Sequence, residues 1–405
     1  MSRRMMALCF MTVTLFIAAG CKPAIPTGVT WSYTTNPTSI VGLTIDNTDD
    51  GGFIVGGGYN GMYSMYALKL NALGVKMWDS PYSNLTPDSN HSELWRHEAV
   101  GARQTPDGGY ILLGAGHFYH DTMPDKSYLL VKTDAAGAVV WSKAYAPDNP
   151  YDPGHLCCCN EPAALWLTAD GGYAVFGSSY VGGYSLASIL KTDADGNVEI
   201  NEVINDNAKA YEEIITGGQQ TEDGGYILTG YSSNGAPHGY MALLIKLEAA
   251  GGLAWSKTYQ YLPANHGASS NTVLQTADGG YVMGGMLVND ITKVLNHGYW
   301  MARLDGDGDQ LWAKNYANGE TLREPNAFAE TPLGELVATG TLSNGKMGLA
   351  KFTGTGELLW NFSFDDLPGM NGNALVLTGD GGCAVVGSGA GSVVAKVDNV
   401  YAVEE

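Results

Sequence analysis

Imidazole, thiolate and carboxylate groups are the side chains best suited to hold a metal ion or move a proton. This chain has 8 His and 6 Cys among its 405 residues. Those that could converge are His97, His117, His120, His155 and Cys157, with Glu98, Glu161 and Glu324 beside them. Such a donor set would suit a borderline cation. Its spacings match no known ligand motif. No Gly-x-Ser-x-Gly, His-Glu-x-x-His or phosphate loop is present. No Cys-x-x-Cys-His is present either, so covalent haem is not indicated. No catalytic residue is assigned, and no cofactor is expected beyond the metal ion that these donors could hold. The glutamates have a second reading, because Glu at a strand start can accept backbone N–H bonds or water. Asp305-Gly306-Asp307-Gly308-Asp309 looks like a calcium loop, but an EF-hand needs Gly at position six and Glu at twelve, where Gln310 and Tyr316 stand.

What must position these residues is a repeated unit. Thr105-Pro106-Asp107-Gly108-Gly109-Tyr110 recurs with starts at Thr48, Thr168, Thr221 and Thr276, as a decayed copy at Thr331 and again at Thr378. The seven starts lie 57, 63, 53, 55, 55 and 47 residues apart. A second phrase follows each first one, clearest as Asp134-Ala135-Ala136-Gly137 leading to Trp141. Trp78, Trp255, Trp312 and Trp360 keep that offset, and Ile200 replaces Trp in the third copy. Short Gly-containing turns between β-branched and apolar runs are hairpin signals, since Gly takes positive φ without strain. Each unit therefore reads as four short antiparallel strands, which is the pattern of a propeller blade.

The ends carry a check on that reading. The last copy stops where its Trp would fall, while Trp31-Ser32-Tyr33 stands unclaimed near the start. The expected fold is an all-β, seven-bladed β-propeller over 29–405, with the strand Val29 to Thr34 completing the last blade and removing its open edge. The repeat resembles the Asp-Gly-Gly-Tyr propeller repeats of bacterial and archaeal secreted proteins and lipoproteins. More distantly, Asp-x-x-Gly-x-x-x-Trp is similar to the docking motif of quinoprotein-type propellers. A quinone cofactor would need a cationic pocket, and the chain has few arginines to build one. Lys69, Lys132, Lys191, Lys246, Arg303, Lys351 and Lys396 recur at one position of the unit. They are expected to pair with turn carboxylates such as Asp107 or Asp134 and not to form a binding ring.

Arg3 and Arg4 precede an apolar run from Met5 to Ala19, and Ala18-Ala19-Gly20-Cys21 closes it. This resembles the lipobox of bacterial lipoproteins. The resemblance implies a signal peptide over 1–20, a lipidated Cys21 and a tether over 21–28 that holds the chain to a membrane. Lys22 after the lipidated Cys implies an outer-membrane address, with the side of the membrane open. The tether from Lys22 to Gly28 reaches about 23 Å at most.

The net charge of −20 argues against nucleic acid and against a polybasic lipid contact. Strand alternation sends the loops between second and third strands, and those between units, to one variable face. All eight histidines fall on or near it, partly because the other face has little free loop. After export Cys157, Cys158, Cys159 and Cys383 remain; neighbouring cysteines seldom bridge, and a bridge to Cys383 is not expected. Three functions fit. The first is a lipid-anchored, non-catalytic envelope scaffold that presents its variable face to a partner or ligand, an envelope protein or a glycan. The second is a metal-binding or redox enzyme using His and Cys there. The third is a glycan-binding module using Phe118, Tyr119, Tyr151, Tyr180, Tyr184 and Tyr231.

Overall fold

The computed structural model describes residues 26–35, 40–59, 64–83, 85, 98–120, 123–145, 160–181, 183–204, 212–233, 240–260, 266–289, 298–316, 322–367, 371–389 and 391–401. All regular structure among them is β-strand, and no helix is long and apolar enough to cross a membrane.

The Thr105 turn explains why the sequence folds this way locally. The Thr105 N–H donates to Gly109 O at 2.9 Å, and the Gly108 N–H to Thr105 O at 2.9 Å. The Asp107 carboxylate accepts the Thr105 hydroxyl at 2.6 Å and the Gly109 N–H at 3.0 Å. It also takes the Lys132 ammonium from the third strand at 2.8 Å. Asp107 thus closes the first hairpin and ties it to the second. The two glycines serve different needs. Gly108 has φ +81°, a conformation that costs an L-residue steric strain, whereas a Cβ on Gly109 would lie 2.6 Å from Lys132 Nζ.

Each repeated cation is buried and pairs with a carboxylate of its own repeat: Lys69 with Asp50, Lys191 with Asp170, Lys246 with Asp223, Arg303 with Asp278 and Lys396 with Asp380. The expected alternative partner Asp134 instead accepts the amides of Ala136 and Ala138 within its own turn. In the decayed copy Leu333 replaces Asp, and Glu335 takes the place of the second Gly and pairs with Lys351. The carboxylate has moved two residues and the ion pair survives.

These pairs set an acid limit. Bonds from Lys132, Lys191 and Arg303 hold Asp107, Asp170 and Asp278 down at about 2, against an ordinary 3.8. Folded values below the unfolded ones contribute stability above about pH 4, and that stability is lost as pH falls toward 2. Each carboxylate is more than half exposed, so screening keeps each contribution under about 1 kcal/mol. Thermal unfolding should be level from pH 7 to about 4.5 and decline below that, as a pH series of Tm values checks.

Three repeats form four-stranded antiparallel sheets in chain order. Their strands are Ile40–Asn47, Phe53–Tyr59, Ser64–Leu70 and Lys76–Tyr82; then Ala99–Gln104, Tyr110–His120, Met123–Thr133 and Val139–Tyr145; then Leu322–Glu330, Leu336–Leu342, Met347–Phe352 and Leu358–Ser363. The last repeat has Asn371–Leu377, Cys383–Ser388 and Ser392–Val397, and its fourth strand is Val29–Thr34 from the other end of the chain. Trp31 lies opposite Lys396 and Tyr33 opposite Val394.

Two repeats depart from the expected pattern. In the fifth, the first strand is broken into His266–Ala268 and Thr272–Gln275, both paired with Tyr281–Asn289, which continues into Gly298–Leu304 and Gln310–Asn315. The third and fourth repeats share one eight-stranded sheet. Asn160–Leu167, Tyr173–Val181, Tyr184–Thr192 and Val198–Val203 join Glu212–Gln220, Tyr226–Ser233, Met241–Leu247 and Leu253–Tyr259 through a parallel Ser185–Glu212 pairing.

Apolar side chains fill the space between adjacent sheets, as where Ile54, Met65 and Ala67 meet Ala99, Ala102 and Leu112. In the first, second, fourth and fifth repeats the recurring Trp docks the outer strand on the next repeat. Trp78 packs on Gly137, Trp255 on Gly308 and Trp312 on Gly356. Four residues on, Tyr82, Tyr259 and Tyr316 donate their hydroxyls to the carbonyls of those same glycines at 2.9, 2.7 and 2.6 Å. Cys383, in place of the turn Tyr, is fully buried and unbridged; burial pushes its thiol well up, so it is inert while folded.

Candidate binding face

The hairpin end of the molecule uses its repeated polar groups for its own turns. The strand ends opposite differ from repeat to repeat, and Glu98, Glu161, Glu324, His117 and His120 lie there. Glu98 immediately precedes Ala99–Gln104, Glu161 is the second residue of Asn160–Leu167, and Glu324 is the third of Leu322–Glu330. The pairings Ala99–Gly114, Pro162–Gly177 and Pro325–Gly340 give all three glutamates one register position in their repeats. They are equivalent by repeat and belong to three different sheets.

Glu161 is committed to an ion pair with Lys126 from the preceding repeat. Asn160, fully buried, donates its side-chain amide to Lys126 O at 2.8 Å. Lys126 and Asn160 carry no repeated signature, and sequence reading passed over both. The cross-strand partner of Lys126 is His117. The structure thus brings the backbone of His117 and the carboxylate of Glu161 to the same lysine.

His117 and His120 are not in a loop, as expected from sequence. Tyr110–His120 and Met123–Thr133 pair along their full 11 residues, with His120 opposite Met123. The reason is local: His117-Phe118-Tyr119-His120 is rich in rings that favour the pleated surface. Tyr180, Tyr184 and Tyr231 likewise lie at strand ends, while Tyr151 is outside the described residues. His97, His155, Cys157 and Cys21 also lie outside them. Among the described residues no group of three or more His, Cys, Asp or Glu could hold a metal ion. The suspected calcium loop is an ordinary turn, in which Asp305 accepts the Asp307 and Asp309 amides at 3.0 and 2.8 Å and Asp309 pairs with Lys257.

Beneath this face is a buried hydroxyl chain. The Tyr128 and Ser188 hydroxyls lie 2.6 Å apart, and Ser179 donates to Ser188 at 2.9 Å. Ser178 accepts the Ile215 N–H at 2.8 Å, which stitches the third repeat to the fourth. These groups satisfy one another, and their chemistry is structural.

No protein-family model matches the chain, and no curated protein matches it. Solved structures do. YCF48 bound to D1 peptide matches at TM-score 0.53 and 12% identity, over 95% of this chain and 100% of that one. Periplasmic gluconolactonase PpgL of Pseudomonas aeruginosa matches at 0.52 and 12%, over 91% and 90%. Drosophila Plexin A in complex with Semaphorin 1b matches at 0.53 and 12%, over 93% and 88%. The architecture shared with these neighbours is a β-propeller of four-stranded antiparallel sheets. Identities this low carry the fold and no activity.

Proposed function

We propose that this chain is a seven-bladed, ring-closed propeller, anchored by lipid at Cys21 to the cell envelope, that binds a protein or peptide through its variable face without catalysis. The ring reading is supported by the first strands. Ile40–Asn47, Ala99–Gln104, Asn160–Leu167, Glu212–Gln220, Thr272–Gln275, Leu322–Glu330 and Asn371–Leu377 each lie against the next, and the last lies against Ile40–Asn47. At that seam Asn373 donates to Gly42 O at 2.7 Å and Asn47 to Leu377 O at 2.8 Å.

The observation that carries the functional reading is the division of labour between the two ends. The seven repeated cations are each buried and paired within their own repeat. The opposite end varies in strand length and exposes Tyr180, Tyr184 and Tyr240. Aromatic residues are enriched where proteins bind proteins. Two of the fold neighbours hold a peptide or a protein, YCF48 and Plexin A.

A photo-crosslinking residue at Tyr184, on the variable face, tests the reading against one at Leu73, on the hairpin face. In intact cells a discrete adduct should form from position 184 and not from 73. Adducts from both, or from 73 alone, reject the variable face. Cys21→Ser should move the protein from the membrane fraction to the soluble one, and a variant that stays with the membrane rejects the anchor.

A further inference from the structure

We propose that Glu212, Tyr231 and Tyr240, flanked by Tyr180, form a binding site for an arginine or lysine side chain of a partner peptide. The site lies on the variable face, so the proposal rests on that reading and deepens it.

The parallel Ser185–Glu212 pairing makes one continuous sheet of the third and fourth repeats. Across it Tyr180 faces Ser185, and Glu212 faces Ser233. Tyr231 lies two residues before Ser233, opposite Ile214, and faces Ala242 on its other side. Side chains alternate along a strand, and directly paired residues share a face. Tyr180, Glu212 and Tyr231 therefore project from the same side. Tyr240 lies two residues before Ala242 and meets Tyr231. Exposure follows the same alternation: Glu213 and Ser232 are buried, while Glu212 and Tyr231 are partly open and Tyr180 and Tyr240 are exposed.

The Tyr231 and Tyr240 rings meet edge to face, with centroids 4.8 Å apart and planes at 70°. That arrangement makes a corner and not the flat platform on which a sugar ring stacks. Glu212 is diagonal to Tyr231 across the strand pair, on the same side of the sheet, so its carboxylate borders the corner; burial holds the Tyr231 phenol above its ordinary range, and the Glu212 carboxylate adds to the effect. Two aromatic walls with a carboxylate beside them attract a cation through the ring faces and through charge. A basic peptide also suits a chain of net charge −20, which would draw it in from solution.

The test uses the purified full-length protein and a fluorescent heptapeptide of alternating Gly and Arg in 150 mM salt, read by anisotropy. Glu212→Gln and Tyr240→Ala should each weaken binding by about tenfold. Asp195→Asn removes the same charge from an exposed hairpin turn on the other face and should leave binding unchanged. Tyr231→Phe keeps the ring and should also bind normally. Equal losses in Glu212→Gln and Asp195→Asn would mean non-specific attraction and overturn the site. So would absence of binding to the unaltered protein, or displacement of the peptide by neutral oligosaccharides. Any of these results together with a persistent crosslink at position 184 rejects this site and leaves the variable-face reading standing.

Discussion

A chain lacking Val29–Thr34 is expected to unfold several degrees below the full chain and to aggregate on warming. The strand pairs with Ser392–Val397 from Val29–Val397 through Thr34–Val393. Its removal leaves an apolar strand, Ser392-Val393-Val394-Ala395-Lys396-Val397, with an open edge, which is a template for another chain. It also removes Trp31, whose ring centroid is 5.6 Å from that of Phe53 and whose ring covers Gly74 in the first repeat. Truncating a Trp in such a contact costs about 3 kcal/mol or more. For a domain of this size that is a fall of several degrees in Tm, before the lost strand pairing is counted. Calorimetry with light scattering on the truncated chain, and on Trp31→Ala alone, checks both parts. A truncated chain that keeps its Tm and stays monomeric would show that the N-terminal strand is dispensable.

The second large effect separates backbone strain from docking between repeats. Gly108 and Gly137 have nearly the same conformation, φ +81° and +82°. A Cβ at Gly108 meets nothing within 4 Å, whereas at Gly137 it falls 2.9 Å from the Trp78 ring. The ring cannot slide aside cheaply, because Trp78 donates to Ala135 O at 3.1 Å and Tyr82 to Gly137 O at 2.9 Å. Gly108→Ala should cost about 1–2 kcal/mol, the strain of the left-handed region alone. Gly137→Ala should cost about 2–5 kcal/mol, because crowding adds to the same strain. Denaturant unfolding of the two variants gives the difference directly, and equal losses would mean that the Trp contact adds nothing.

Much of the scaffold was legible because its signals are local. Asp-Gly-Gly names a turn, and the cation two strands on names the partner of its carboxylate. The unclaimed Trp31 predicts that the two ends of the chain meet, and the strand pairing bears that out. What was not legible depends on contacts between distant positions. Glu335 rescues the decayed copy from a position where every other repeat has Gly. The hydroxyls of Tyr82, Tyr145 and Tyr259 clamp the very glycines on which Trp78, Trp141 and Trp255 dock, a contact with the next repeat that the spacing of Trp and Tyr alone does not announce. His117 and His120 were expected in the loop between the second and third strands. Their hairpin is instead held by continuous backbone pairing.

The linear chain by itself determined the repeat, its turns and its buried ion pairs: the turns by residues a few positions apart whose φ preferences act locally, the ion pairs by residues 16 to 25 positions apart whose cation recurs at one place in every unit. Only the tertiary structure decided which open-ended strands fuse. Whether Ser185 meets Glu212 depends on how two neighbouring sheets lean together, and no residue in either repeat encodes that on its own. That meeting brings Tyr180 of the third repeat beside the aromatic corner, which the fourth repeat builds from its own strands. Tyr180 shares a surface with Glu212, tens of residues away, because pairing between two repeats, and not local preference, sets the distance between them.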